Sequence, residues 1–211
     1  MILLSPEWAA LLYLVAAVCF ILALQGLGKP ASARRGNLIG AAGALVAVVT
    51  VFLSSKIDNL PWILATIVVG AAIAAPVSRR VKMTQMPQLV ALFNGVGGGA
   101  AALVALLELS HSSSPWSALA VAFTVLVGAV SFSGSCITFA KLQEIMPTRP
   151  IVFPGQPVVM GLVLAGALVS GGFVVATGSF VAVLVLLALG LATGVLLVLP
   201  VGGADVPIVI S

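Results

Sequence analysis

The chain has 211 residues, of which 62% are hydrophobic and only 7% charged. Soluble domains carry about 25% charged residues, so this composition cannot build an ordinary water-facing surface, and lipid must cover most of the chain. The net charge of +4 comes from basic residues scattered in short loops, with no continuous stripe and little aromatic stacking surface, which excludes a nucleic-acid partner.

A helix needs roughly 20 mainly apolar residues to cross a hydrocarbon core about 30 Å thick. Runs of this kind predict an all-α, polytopic transmembrane bundle of about seven helices: Trp8 to Leu27, Leu38 to Leu53, Leu60 to Val77, Met86 to Leu107, Trp116 to Ala140, Val158 to Ala176 and Phe180 to Leu199. The first run is preceded by Glu7 and no basic residue, unlike a cleavable signal peptide with its positive leader, so it is expected to be retained. Breaker chemistry separates the runs: Gly28-Lys29-Pro30, Asp58-Asn59 before Pro61, Ser112 to Pro115, Pro147 to Pro157, Gly178-Ser179 and Pro200-Val201-Gly202-Gly203.

If the seven spans alternate, Lys29, Arg34, Arg35, Arg79, Arg80, Lys82, Lys141 and Arg149 share one side, and Lys56 alone falls opposite. Lys and Arg accumulate in cytoplasmic loops. The expected topology therefore has the N-terminus outside and the C-terminus in the cytoplasm.

Small residues recur at helical spacing in Gly36-x-x-x-Gly40, Gly95-x-x-x-Gly99 and Gly190-x-x-x-Gly194. Such pairs let membrane helices approach closely, although glycine is also simply common in membrane helices. Gly95 to Ala100 fits the letters of a dinucleotide fingerprint, but that motif needs a preceding strand and an acid about 20 residues on, and this one lies inside an apolar span.

An unsatisfied polar group in hydrocarbon is costly, so the few polar residues within spans each need an account. Asn94 can donate and accept but cannot titrate; it makes either an interhelical hydrogen bond or part of a water path. Ser131, Ser133, Ser135 and Thr138 cluster around Gly134, where they either bond back to their own helix or line such a path. No charged residue lies deep in a span, so the buried acid or histidine relay of a pump is lacking in this chain. His111 is expected in a solvated Ser-rich loop. Cys19 and Cys136 sit in apolar runs and read as packing, with no disulfide or metal site expected. Asp205, between Gly202-Gly203 and Pro207, is a candidate hinge or cap at the end of the last span.

Four stretches carry a resemblance: Lys82-Met83-Thr84-Gln85-Met86-Pro87-Gln88-Leu89-Val90-Ala91, Gly128-Ala129-Val130-Ser131-Phe132-Ser133-Gly134-Ser135, Phe139-Ala140-Lys141-Leu142, and Gly202-Gly203-Ala204-Asp205-Val206-Pro207-Ile208-Val209-Ile210-Ser211. In order and spacing they resemble the beta subunit of proton-translocating NAD(P) transhydrogenase. The resemblance implies that residues 1–211 are a transmembrane proton-channel domain, a piece lacking the last helices and the NADP(H)-binding domain. It implies a subunit of an inner (plasma) membrane enzyme in which inward proton flow drives hydride transfer from NADH to NADP.

This piece alone would not catalyse hydride transfer and would bind no cofactor. NADP(H) and NAD(H) would sit on other domains of the complex. The implied partners are the alpha-subunit membrane helices and NAD(H) domain, the NADP(H) domain of the same subunit, a second copy of the complex, and lipid. Several family members have a proton-handling histidine where Asn94 stands. The resemblance then implies that the titratable group is a histidine on the alpha subunit, with Asn94, Ser131, Ser133, Ser135 and Thr138 along the path. It also implies that Asp205 couples the cytoplasmic mouth to the NADP(H) domain. The alternatives are a small-solute transporter, which would bind its substrate at broken helices, or a structural membrane subunit.

Overall fold

The computed structural model describes residues 4–54, 57, 59–111 and 114–202. Helices dominate it: α1 (Pro6–Leu27), α2 (Pro30–Ser54), α3 (Leu60–Arg80), α4 (Met86–Glu108), α5 (Pro115–Leu142), α6 (Gln156–Thr177) and α7 (Phe180–Val198). Short 3-10 turns at Met83–Gln85 and Leu109–His111 flank α4. All seven α-helices are long and apolar enough to cross a membrane, and no strand occurs among the described residues.

Helix starts follow local chemistry. Proline, whose missing N–H costs nothing in the first turn, occupies the first or second position of α1, α4, α5 and α6. The Ser114 side chain caps α5 in a reciprocal box with Ser117, and Ser179 caps α7. The largest difference from the sequence expectation is at α2, which starts at Pro30 rather than Leu38. Arg34 and Arg35 therefore ride exposed on its first turns instead of lying in a loop. Hydropathy marks only the apolar stretch, whereas a helix continues into polar sequence wherever its backbone bonds can form and long basic side chains can reach water.

The chain divides into two compact units, residues 1–76 and 77–211. In the first, α1 and α2 form an antiparallel hairpin. Ala9, Ala16 and Ala23, seven residues apart, are the buried positions of α1. Gly36 and Gly40 of α2 lie against Ala23 and Gly26, so this small-residue pair is a contact face. The Ser32 hydroxyl donates to the Gly26 carbonyl at 2.7 Å, closing the turn.

In the second unit, α5 lies between α4 and α7, and α6 packs on α7 and α5. The register is clear from the close pairs. Gly98 meets Gly128 and Ser131, and Gly95 meets Ser135, so α4 and α5 are antiparallel. Gly190 meets Ala129 and Gly194 meets Ser133, so α5 and α7 run parallel. Ser170 of α6 donates to the Ala182 carbonyl of α7 at 2.8 Å, across a tight turn in which Gly178 is left-handed at φ 63°. The apolar core, which includes Val121, Val125, Val174, Val183 and Leu186, gathers at the end of the unit where α4 and α6 finish. The opposite end is held by polar side chains.

Candidate functional site

The sequence singled out polar groups on α4 and α5, and helical spacing sorts them. Ser131 and Ser135 are four residues apart and so share one face of α5; Ser133 lies on another. The amide Nδ2 of Asn94 on α4 donates to Ser131 Oγ at 3.1 Å and to Ser135 Oγ at 2.9 Å. The bridge forms because Gly95 and Gly98 bring the two backbones close: a Cβ on Gly98 would lie 2.7 Å from Ser131 Cβ, and one on Gly95 would lie 2.9 Å from Ser135 Cβ.

Two grooves run beside this bridge. Ser135 lines one of about 140 Å³, together with Gly95, Val96, Phe132, Cys136 and Phe139. Ser131 lines another of about 380 Å³, with Val130, Gly134, Met160, Leu164 and Thr193 among its walls. Both serine oxygens accept from the Asn94 amide, which leaves the hydrogen of each hydroxyl to be donated elsewhere. Each hydroxyl can therefore pass a hydrogen bond onward from the bridge.

Ser133 and Thr138 behave differently. Ser133 Oγ donates to the Ala129 carbonyl at 3.0 Å and Thr138 Oγ1 to the Gly134 carbonyl at 2.9 Å, both one turn back on α5. Ser133 is buried against Gly194 of α7. The structure thus joins Asn94, Ser131 and Ser135 and leaves Ser133 and Thr138 apart. Asp205 lies outside the described residues.

A second polar cluster, at the end where α5 and α7 finish, was missed by the sequence reasoning. Lys141, in the last turn of α5, is 1% exposed. Its Nζ donates to the carbonyls of Val198 at 3.1 Å, Leu199 at 2.6 Å and Val201 at 2.7 Å. The last carbonyls of a helix lack partners within it, and the negative ends of two parallel helix dipoles meet here. That field and the three bonds explain how an ammonium sits in the bundle with no carboxylate beside it among the described residues.

Gln156 of α6 donates to the Leu196 carbonyl at 3.2 Å, and Gln88 of α4 to the Leu142 carbonyl at 3.1 Å. Gln88 Oε1 is buried without a partner among the described residues. In the sequence Lys141 looks like one more loop cation at a span end, and only the longer helix places it among carbonyls. Among the described residues, no group of His, Cys, Asp and Glu could hold a metal. The fingerprint-like glycines lie in the middle of α4.

A sequence profile of the family described as NAD(P) transhydrogenase beta subunit matches residues 9–211. Two chains from Rhodospirillum rubrum, each named NAD(P) transhydrogenase subunit beta, are 41% identical to this one over 209 residues, covering 94% of this chain and 45% of theirs. The chain thus spans less than half the length of these curated relatives.

Proposed function

Since the chain belongs to the NAD(P) transhydrogenase beta subunit family, we propose that it forms the proton-conducting part of a membrane transhydrogenase, in which protons moving inward drive hydride transfer from NADH to NADP. It is a multi-pass membrane protein, with seven helices able to span. The nucleotides are bound on other domains of the complex, and this chain supplies the path. Topology follows the basic residues, with the N-terminus outside and the C-terminus inside, in the plasma or inner membrane.

The observation that carries the proposal is the Asn94 amide bridging Ser131 and Ser135 between two helices. An amide cannot take up a proton, so the bridge orients hydroxyls and water while the titratable group comes from a partner helix of the alpha subunit. Ser133 and Thr138, whose hydroxyls are spent on their own helix, serve as wall. Asp205 is the coupling acid at the cytoplasmic mouth. The transporter alternative calls for helices broken near the midplane, whereas α4 to α7 are each continuous.

The test is made on the full complex in sealed vesicles, measuring transhydrogenation and proton uptake together. Asn94→Ala is expected to lower both at least tenfold, while Asn94→His retains proton uptake. Asp205→Asn is expected to lower proton uptake more than hydride transfer. Wild-type rates in both Asn94→Ala and Asp205→Asn would refute the assignment.

A further inference from the structure

The Lys141 cluster is not used by the proton path just described, yet its Nζ makes three hydrogen bonds. An ammonium has three hydrogens, and each finds a carbonyl at the end of α7. The same place is gripped from the other side. The Ile151 N–H donates to the Leu199 carbonyl at 2.9 Å, so that one oxygen serves both Lys141 and the loop after α5. Gly202 lies so close to Pro150 that a Cβ there would stand 2.6 Å from the proline Cδ. The end of α7 is thus clasped between the last turn of α5 and the segment 150–151.

We propose that Lys141 is a positioning residue for the coupled reaction: its ammonium clasps the end of α7 to the end of α5, the helix that carries Ser131 and Ser135, and so ties the state of the proton path to the position of the chain at Val201 and Gly202. The proposal rests on the function inferred above. Its physical basis is that one cation bonded to three carbonyls lets go as a unit. The end of α7 then has two discrete arrangements, held and released, and a two-state element of this kind is what two distant sites can both bias. Because α5 and α7 run parallel and touch from Ala129 against Gly190 to Lys141 against Val201, a shift of α5 at the serines is felt at the clasp through one continuous interface. In sequence the next acid is Asp205, four residues beyond Val201 and no more than about 14 Å along an extended chain.

The experiment uses the full complex in sealed vesicles and two variants. Lys141→Met keeps the length of the side chain and removes its charge and donors. Gly202→Ala leaves Lys141 intact and pushes the backbone at Gly202 off Pro150. Hydrogen exchange is followed at the amides of Ile151 and Val201, and protons taken up per hydride transferred are measured on the same assembled complex. Both variants are expected to speed exchange at these two amides at least tenfold, with exchange across α4 and the first half of α5 unaltered, and to lower the proton-to-hydride ratio at least twofold.

A purely structural lysine would reduce the amount of complex and leave the ratio per complex at the wild-type value. That result in either assembled variant overturns the proposal, and so does unchanged exchange at Ile151 and Val201. Should Lys141→Met fail to assemble, Gly202→Ala decides alone. If the wild-type complex itself shows no proton uptake linked to hydride transfer, the inferred function fails, and the exchange measurement still reports whether the clasp exists.

Discussion

Asn94 and Ser133 illustrate how far a polar residue in a membrane helix can be understood from its own chemistry. Both needed a hydrogen-bond partner, and the sequence offered each two outcomes. Asn94 found its partners on the neighbouring helix, whereas Ser133 found one on its own. The difference follows from side-chain type and facing. A hydroxyl can bond back to the carbonyl four residues before it, as Ser133 does, but an amide with two donors cannot satisfy both locally. That Ser131 and Ser135 share a face was legible from their spacing; that this face meets α4 was not, because nothing local says which helix is the neighbour. Removing one acceptor from the bridge leaves an amide hydrogen in apolar surroundings, and measured interhelical hydrogen bonds in membranes are worth about 0.6 kcal/mol on average and up to about 1.7. Ser135→Ala is therefore expected to destabilise the purified subunit by about 1 kcal/mol in detergent unfolding and to slow proton uptake. Ser133→Ala removes only a bond within one helix and is expected to destabilise less than Ser135→Ala, with uptake unaltered. Equal effects of the two would show that the bridge has no special standing.

At the level of the helix, glycine spacing told more than composition suggested. All three small-residue pairs turn out to be contact faces: Gly36 and Gly40 on α1, Gly95 and Gly99 on α5, Gly190 and Gly194 also on α5. Adjacent glycines in α4 give a sharp contrast. A Cβ on Gly97 would meet nothing within 4 Å, while one on Gly98 would meet Ser131 and, at 3.0 Å, the Gly128 carbonyl. A backbone atom cannot swing aside as a long side chain can, so the helices must separate, and overpacking of this kind costs typically about 1–3 kcal/mol. Gly98→Ala is expected to lower unfolding stability by that amount and to weaken the Asn94 bridge. Gly97→Ala is expected to be neutral or stabilising by up to about 1 kcal/mol, the helix propensity gained. The pair is compared in detergent unfolding, and a Gly98→Ala protein as stable as Gly97→Ala would mean that α4 and α5 do not pack on this face. What the sequence did not yield at this scale was the start of α2. Hydropathy sees the apolar run from Leu38, but the helix begins at Pro30, because helix boundaries in polar sequence are set by backbone bonds and caps.

At the scale of the whole molecule, the proposed topology rests on charge. Nine basic residues fall unevenly on the seven spans: with alternation, only Lys56 is separated from the rest. Arg34 and Arg35 at the start of α2, and Arg79 and Arg80 at the end of α3, are exposed on helix termini, where basic side chains can reach the headgroup region while their helices cross the bilayer. Lys141 departs from the pattern, being buried among the carbonyls at the end of α7. Retention of Lys and Arg on the cytoplasmic side is worth enough that topology follows the bias in short loops. A single cysteine at Arg149, in a background lacking Cys19 and Cys136, is therefore expected to react with an impermeant maleimide only from the cytoplasmic face, and one at Asn59 only from the outer face. The reverse labelling would invert the inferred proton direction along with the helices, because the residues of the bridge and the clasp turn with the spans that carry them. Labelling of both positions from one face would instead show an odd number of crossings miscounted among α3, α4 and α5, and with it a different neighbour for α4.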